Sequence, residues 1–434
     1  MKRVSGMQQS WTTTTFRAVC LPTKQWNPIR DKREKFQYID VSAVGRESYE
    51  VEQTETLAAN AAPSRARKIV IEGDCIFATV RPRLLRVAYV DREHHDQIAS
   101  TAFCVLRADH ARANPRFIYF LLRSSFVVDA IANHESGASY PAVSDSNVLD
   151  CEISLPPIPE QEKIAAVLWK LQRAIANQDR LIANTRDLKQ STMNRLFTHG
   201  LRGEPLKETE IGPMPESWHP TPIRELREFL QYGISSKCGY HRQGRPVIRI
   251  PNIVDGRVDT NDIKWAELTT KEVASYELAS GDILFIRTNG VIDRVGSCSV
   301  FRDELPGALF ASYLIRARPN NRLHAEFLQY YSMTAQGRAQ LAGRGSPAAD
   351  GKFNINTPAI DSVLIPLPPD KDEQQSIAAA LTTIDRKLAH HQKKRAALND
   401  LFQTLLHKLM TGEIRVADID IDTSEITAPP GATA

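Results

Sequence analysis

Long apolar runs are missing from this chain. No stretch reaches the roughly 18 apolar residues that would cross a bilayer, so no membrane span is expected. Met1-Lys2-Arg3 leads into polar sequence without an apolar core, so no secretory signal is expected either. Cysteine is sparse and never clustered. Cys20, Cys75, Cys104, Cys151, Cys238 and Cys298 stand singly, with no C-x-x-C and no histidine pair at zinc spacing. That pattern predicts reduced thiols in a cytoplasmic protein and no metal site. A strong excess of one charge is missing too: 55 Lys and Arg face 51 Asp and Glu, leaving a formal +4 that permits a polyanionic partner without requiring one.

Catalytic motifs are also absent. There is no glycine-rich cofactor loop, and the Pro-Pro pairs run on into Ile158 and Asp370 rather than into the aromatic residue of a DNA methyltransferase motif. The nearest approach to a phosphate loop, Gly345 through Gly351-Lys352, has one intervening residue too many and places Phe353 where a Ser or Thr should bind magnesium. Pro369-Asp370 with Asp385-Arg386-Lys387 imitates a nuclease motif, but its second element sits on a helical pattern where that chemistry needs a strand edge. His94, His95 and His241 have no evident Ser, Cys or metal partner. No catalytic residue is assigned, and the chain reads as a binding and positioning protein.

What is present is ordinary globular composition, 42% hydrophobic and 24% charged over 434 residues, enough for two to four domains. Within it one stretch occurs twice. Leu155-Pro156-Pro157-Ile158-Pro159-Glu160-Gln161-Glu162-Lys163-Ile164-Ala165 returns as Leu367-Pro368-Pro369-Asp370-Lys371-Asp372-Glu373-Gln374-Gln375-Ser376-Ile377-Ala378. From Glu160/Glu373 the copies keep register to Phe197/Met410, so the molecule is built as two equivalent halves.

Steps of four and three through the second copy select Ile377, Leu381, Ile384, Leu388, His391, Arg395, Leu398, Phe402, Leu405 and Leu409, all apolar except His391 and Arg395. The same register in the first copy selects Ile164, Leu168, Leu171, Ile175, Gln178, Ile182, Thr185, Lys189, Thr192 and Leu196, with Leu181 and Leu188 widening the stripe. This is a coiled-coil pattern with a matched polar position at Gln178 and His391. The prolines force an extended approach, Asp372 with Gln375 fits a capping box, and Gly200 and Gly412 fit left-handed C-caps. Two helices of roughly 34 residues, ~50 Å at 1.5 Å per residue, are expected to pair as one antiparallel rod.

Residues 1–155 and about 212–365 read as mixed α/β and share an order of parts. A Gly-Asp turn opens a β-like run, Gly73-Asp74-Cys75-Ile76-Phe77 and Gly281-Asp282-Ile283-Leu284-Phe285. An arginine-bearing loop follows, then an aromatic helix, Phe117-Ile118-Tyr119-Phe120 and Phe327-Leu328-Gln329-Tyr330-Tyr331, then a polar loop, Ser136 to Ser146 and Gly343 to Asn354. Two clusters, Arg65, Arg67, Lys68, Arg81, Arg83, Arg86 and Lys237, His241, Arg242, Arg245, Arg249, Arg257, fit a surface that tracks phosphates.

The doubled Leu-Pro-Pro-x-x-Glu-Gln-x-x-Ile-Ala helix start resembles the conserved regions of type I restriction–modification specificity subunits. Ile211-Gly212-Pro213-Met214-Pro215-Glu216-Ser217-Trp218 is similar to the Pro-Glu-x-Trp start of a target recognition domain, whereas the first half has only Trp11 in a polar context. The resemblance implies an α+β chain with pseudo-two-fold organisation. Target recognition domain 1 would be residues 1–155, a spacer and docking helix 156–203, target recognition domain 2 with its linker 204–365, a second helix 366–413, and a disordered tail 414–434. It implies recognition of a bipartite target on double-stranded DNA, two methyltransferase subunits and motor-nuclease subunits as partners, and no cofactor on this chain, with S-adenosylmethionine, ATP and magnesium held by the partners. Arg81, Arg83 and Arg86 in the first domain and Arg287, Asn289 and Arg294 in the second are the candidate DNA contacts, with Ser139, Tyr140, Lys237 and Lys352 on flanking loops; Arg suits guanine edges and Asn adenine. A specificity subunit of a methylation-only or other anti-phage assembly and, from a different class, an autonomous DNA-modifying enzyme are the rival readings.

Overall fold

A computed structural model describes residues 11–28, 30 and 33–427. Two compact units share the chain: one takes it up to Arg180 and again from Gln392, the other takes Leu181–His391. The division falls inside the long helices, so each globular region is built together with half of each.

Four helices and eight strands position everything that follows. The helices are α1 (Pro115–Leu121), α2 (Ile158–His199), α3 (Ala325–Tyr331) and α4 (Lys371–Met410). The strands are β1 (Thr12–Thr15), β2 (Cys75–Ala78), β3 (Phe103–Ala108), β4 (Glu152–Leu155), β5 (His219–Pro222), β6 (Ile283–Ile286), β7 (Leu314–Pro319) and β8 (Leu364–Leu367). The first unit has an antiparallel sheet in the order Cys20–Leu21, β3, β2, Val87–Tyr89. The second has Arg227–Tyr232, β7, β6, Cys298–Val300 in the same order and sense. In both, a two-stranded antiparallel clasp, β1 with β4 and β5 with β8, leads the chain into its long helix.

The long helices run 42 and 40 residues, longer than their apolar seams. Pro159 is accommodated in the first turn of α2, where no intrahelical N–H is needed. α4 starts at Lys371, so its cap is Asp370, which accepts the Asp372 N–H at 2.9 Å; Asp372 lies inside the helix, contrary to the expected capping box. Gly200 and Gly412 take φ +62° and +75°, the left-handed caps expected of them.

The seam residues sort by unit. In the first, Ile164 and Leu168 of α2 share one core with Phe402, Leu406, Leu409 and Met410 of α4, and Leu171, Ile175 and Leu405 pack against it. In the second, Met193 and Phe197 of α2 share a core with Ile377 and Leu381 of α4, with Leu196 and Ile384 at its edge. Gln178 and Ile182 are buried; Leu388, His391 and Leu398 are half-buried. Leu188, expected to widen the stripe, is instead 50% exposed.

The repeated Glu-Gln pair is a pair of latches. Gln161 accepts the Asn114 N–H at 2.8 Å and donates to the Arg112 carbonyl; Gln374 accepts the His324 N–H at 2.9 Å and donates to the Arg322 carbonyl. Each glutamine thus ties the start of α1 or α3 to its long helix. The preceding glutamate holds the chain that follows a helix end. Glu160 takes both Nε and Nη2 of Arg415 at 2.7 Å and the Trp11 indole N–H at 3.3 Å. Glu373 accepts the Leu201 N–H at 3.0 Å and pairs with Arg202 at 3.4 Å. Trp11 stands just before β1 and beside Gly412, as Trp218 stands just before β5 and beside Gly200. It is the structural counterpart that the first half lacked in sequence.

The tail expected to be disordered is ordered as far as it is described. Val416 and Ile426 enter the first core, Lys163 donates to the Ala417 carbonyl at 2.7 Å, and Lys170 and Arg173 pair with Asp422 and Glu425. Acidic composition suggested a solvated segment, but the basic face of α2 supplies its partners. Residues 428–434 of the expected tail lie outside the described residues.

Burial raises the Glu160 carboxyl, but Arg415, Trp11 and a backbone N–H outweigh that and hold it below the ordinary glutamate value. A depressed folded value means stabilisation present above the unfolded value and lost as pH falls through the folded one. Wild type is therefore expected to melt higher than E160Q at neutral pH, with the two melting temperatures converging in acid. Melting curves that stay a constant distance apart across that range would contradict the latch.

Candidate nucleic-acid interface

Each unit carries a small ribbon at the end of its Gly-Asp strand. Asp74 and Asp282, both 1% exposed, fix the strands that lead there. Asp74 takes Nε and Nη2 of Arg107 on β3 at 2.8 Å; Asp282 takes Nε and Nη2 of Arg318 on β7 at 2.7 Å. Each also accepts a backbone N–H of its own turn, from Ile71 and Ala279. This accounts for the Asp in both copies.

Beyond β2 the chain pairs with the polar loop. Val80 bridges Ala142, the Arg81 N–H reaches the Pro141 carbonyl at 2.7 Å, and Ser136 and Ala142 exchange two hydrogen bonds at 3.0 Å. The loop is thereby folded into a hairpin with Ser139 and Tyr140 near its tip. Arg81 sits over the Tyr140 ring at 4.9 Å and donates to the Ser139 carbonyl at 3.4 Å, while Tyr140 is 70% exposed. Arg81, Ser139 and Tyr140 are brought together as one exposed group. Arg83 is drawn aside to Asp129 at 2.6 Å and Glu135 at 3.7 Å. Arg86 turns inward to the carbonyls of Val41, Ser42 and Val44, where it binds a turn.

In the second unit Thr288–Asn289 pairs with Phe353–Asn354, which pairs with Ser346–Pro347. Arg287 lies over the Tyr232 ring at 4.7 Å and donates to the Ser312 carbonyl at 3.3 Å. Asn289 uses its side-chain oxygen on the Val291 N–H at 3.0 Å, leaving its amide NH2 to point elsewhere. Arg294 is exposed, with one donation to the Ile253 carbonyl at 3.4 Å. Lys352, near the hairpin turn, pairs with Asp350 at 2.8 Å. Lys237 is exposed in a separate loop, near the 67% exposed Tyr240.

The two basic clusters do not survive as continuous surfaces. Lys68 is buried on Asp145 and the Phe103 carbonyl, Arg67 binds the Ala66 carbonyl, Arg249 pairs with Asp262, and Arg257 donates to the Asp385 carbonyl. Sequence reasoning missed the aromatic partner Tyr232 and the 59% exposed Tyr313, whose backbone carbonyl accepts the Arg287 N–H at 2.9 Å. Only their polarity at positions flanking strand ends marked them. Among the described residues no group of three or more His, Cys, Asp or Glu is placed to hold a metal ion, and no helix is long and apolar enough to cross a membrane.

The family model for the type I restriction modification DNA specificity domain matches residues 31–184 and 215–400, once over each half. The chain belongs to the type I restriction–modification specificity subunits. As a specificity subunit it is the non-catalytic, DNA-recognition part of such a system. It is 25% identical to the type I restriction enzyme EcoKI specificity subunit of Escherichia coli over 72% of this chain and 68% of that one. With the MjaVIII specificity subunit of Methanocaldococcus jannaschii it shares 24% over 70% of this chain and 71% of the other. A chain from a structure describing complex assembly and conformational transition of the type I R-M system superposes with TM-score 0.57 at 27% identity, covering 93% of this chain and 98% of that one. The type I S subunit from M. genitalium shares the fold, with TM-score 0.60 at 15% identity over 94% and 98% of the two chains.

Proposed function

We propose that this specificity subunit reads a bipartite, asymmetric DNA target, one half-site per globular region. Residues 1–155 and 204–365 act as the two target recognition domains. The observation that carries the reading is the duplicated ribbon: the same backbone pairing, Val80 with Ala142 and Thr288 with Asn354, carries Arg81 on Tyr140 in one unit and Asn289 in the other, where Arg287 lies on Tyr232 just before the ribbon. Like scaffolds bearing unlike side chains suit two unlike half-sites. Ring stacking and one backbone carbonyl hold each guanidinium without a carboxylate, so its remaining donors stay available for a guanine edge or a phosphate. Arg81, Ser139 and Tyr140, and Arg287, Asn289, Arg294 and Lys352, are the contacts we assign; Arg83 reaches DNA by exchanging Asp129, and Arg86 and Lys237 support the surface from outside the ribbon.

In this reading α2 and α4 pair as an antiparallel coiled coil and set the distance between half-sites. The doubled helix starts give two equivalent docking sites for two methyltransferase subunits, which carry S-adenosylmethionine and flip the target base. Motor-nuclease subunits, with ATP and magnesium, complete the cytoplasmic complex. Replacing Arg287 by Ala is expected to relax one half-site by about 1–3 kcal/mol of base discrimination and leave the other intact. Sequencing the sites methylated by the reconstituted complex measures this directly; two unchanged half-sites would remove Arg287 as a reader.

A further inference from the structure

The two ends of the helix pair are matched in register but not in chemistry. In the second unit Lys189 of α2 pairs with Asp385 of α4 at 2.7 Å, their side chains 13% and 10% exposed. The Tyr330 hydroxyl of α3 donates to the same carboxylate at 2.8 Å, and the Lys189 ammonium lies 5.4 Å from the Tyr330 ring centre. The repeat places Phe402 at the position of Lys189 and Gln172 at that of Asp385. In the first unit Phe402 packs on Phe120, the counterpart of Tyr330, at 6.0 Å between ring centres. Gln172 instead serves Tyr119 and Arg123. Arg123 is 7% exposed, lies 4.8 Å from the Phe402 ring centre, and has no ion pair among the described residues.

Two copies of one helix could otherwise pair as well as α2 with α4, because their seams share a register. The buried side chains forbid it. If α2 met α2 of a second chain, Lys189 would stand in the place of Phe402, an ammonium beside the buried Arg123 guanidinium with Gln172 where its carboxylate should be. If α4 met α4, Asp385 would face Phe402 and lose its cation. A buried charge stripped of its partner is strongly unfavourable, whereas a matched pair is tolerated. Selection against wrong partners works through such mismatches.

We propose that Lys189 and Asp385 form a heterotypic key that makes α2 and α4 accept each other and reject second copies of themselves. It rests on the reading that the two helices pair in solution.

A protease site inserted at Gly203, where the surroundings are open, lets the folded chain be cut between α2 and β5. The cut protein is then dissociated in denaturant and reassembled, and its pairings are counted by native mass spectrometry. Wild type is expected to return the mixed pair in roughly tenfold excess over a statistical mixture. K189F/D385Q, which copies the first unit's residues, and the milder K189M/D385N should both lose most of that excess, while the cover that Val416 and Ile426 give the first core is common to all three proteins. A statistical wild type, or variants that keep the excess, would overturn the key. The uncut chains give a second measure: refolded at rising concentration, K189F/D385Q should form exchanged dimers where wild type stays monomeric, and equal monomer content counts against the key. A double-mutant cycle on K189M and D385N in the uncut chain separates the two ideas. Coupling between the sites with statistical reassembly removes the key alone; absence of coupling removes the helix pairing as well.

Discussion

Asp282→Ala is expected to lower the stability of the second unit by about 3–5 kcal/mol, the usual consequence of removing one partner of a buried ion pair. The carboxylate is 1% exposed and takes two hydrogen bonds from Arg318 and one from the Ala279 N–H, with Arg316 3.6 Å away. Its loss leaves two guanidiniums facing each other. Burial already pushes the Arg316 value down, with Asp282 the first group opposing that shift. The turn before β6 loses its tie at the same time, and β6 is the strand that delivers Arg287 to the ribbon. Urea unfolding of the purified chain should show a shifted transition for one unit and an unshifted one for the other, with Asp74→Ala giving the reverse. The exposed pair of Asp350 with Lys352 is the control, because solvent screens it; Asp350→Ala should leave both transitions in place. An Asp282→Ala protein as stable as wild type would mean that the repeated Gly-Asp turn is not held by its carboxylate.

Lengthening both long helices by one heptad should change which DNA is recognised while leaving the bases of each half-site alone. Seven residues after Arg180 and seven after His391 add about 10 Å of helix and keep the apolar seam in phase. At ~3.4 Å per base pair this corresponds to about three base pairs of added spacer. Three base pairs also turn the duplex by roughly a third of a turn, so the original site should be lost whatever new spacing is accepted. The spacer is read from the methylated sites of the reconstituted complex. A lengthened protein that still modifies the original site would refute the measuring role of the helices.

The helices were the most legible part of this molecule because their signal is periodic and local. Ile377, Leu381 and Phe402 can be placed on one face by counting alone. Lys189 could not be understood that way. On an apolar count it is a lapse in the seam, and only its approach to Asp385, far away in sequence, turns it into a buried pair. The arginines show the same limit. Arg81 and Arg86 sit five positions apart in one loop, yet one lies over an exposed tyrosine and the other binds three backbone carbonyls. Which role an arginine takes depends on the groups a distant segment brings to it. Trp11 was hidden for another reason: its neighbours differ from those of Trp218, although the clasp and glycine cap around it are the same.

The latch between Arg415 and Glu160 makes the first globular unit depend on the segment that follows α4. Clipping by a protease after Gly412, or a premature stop codon there, would strip a buried carboxylate in α2 of its cation and expose the core that Val416 and Ile426 cover. The injury would surface not beside the break but in the half-site assigned to Arg81, so a degraded preparation would present itself as a protein of altered DNA preference before it showed as an unfolded one.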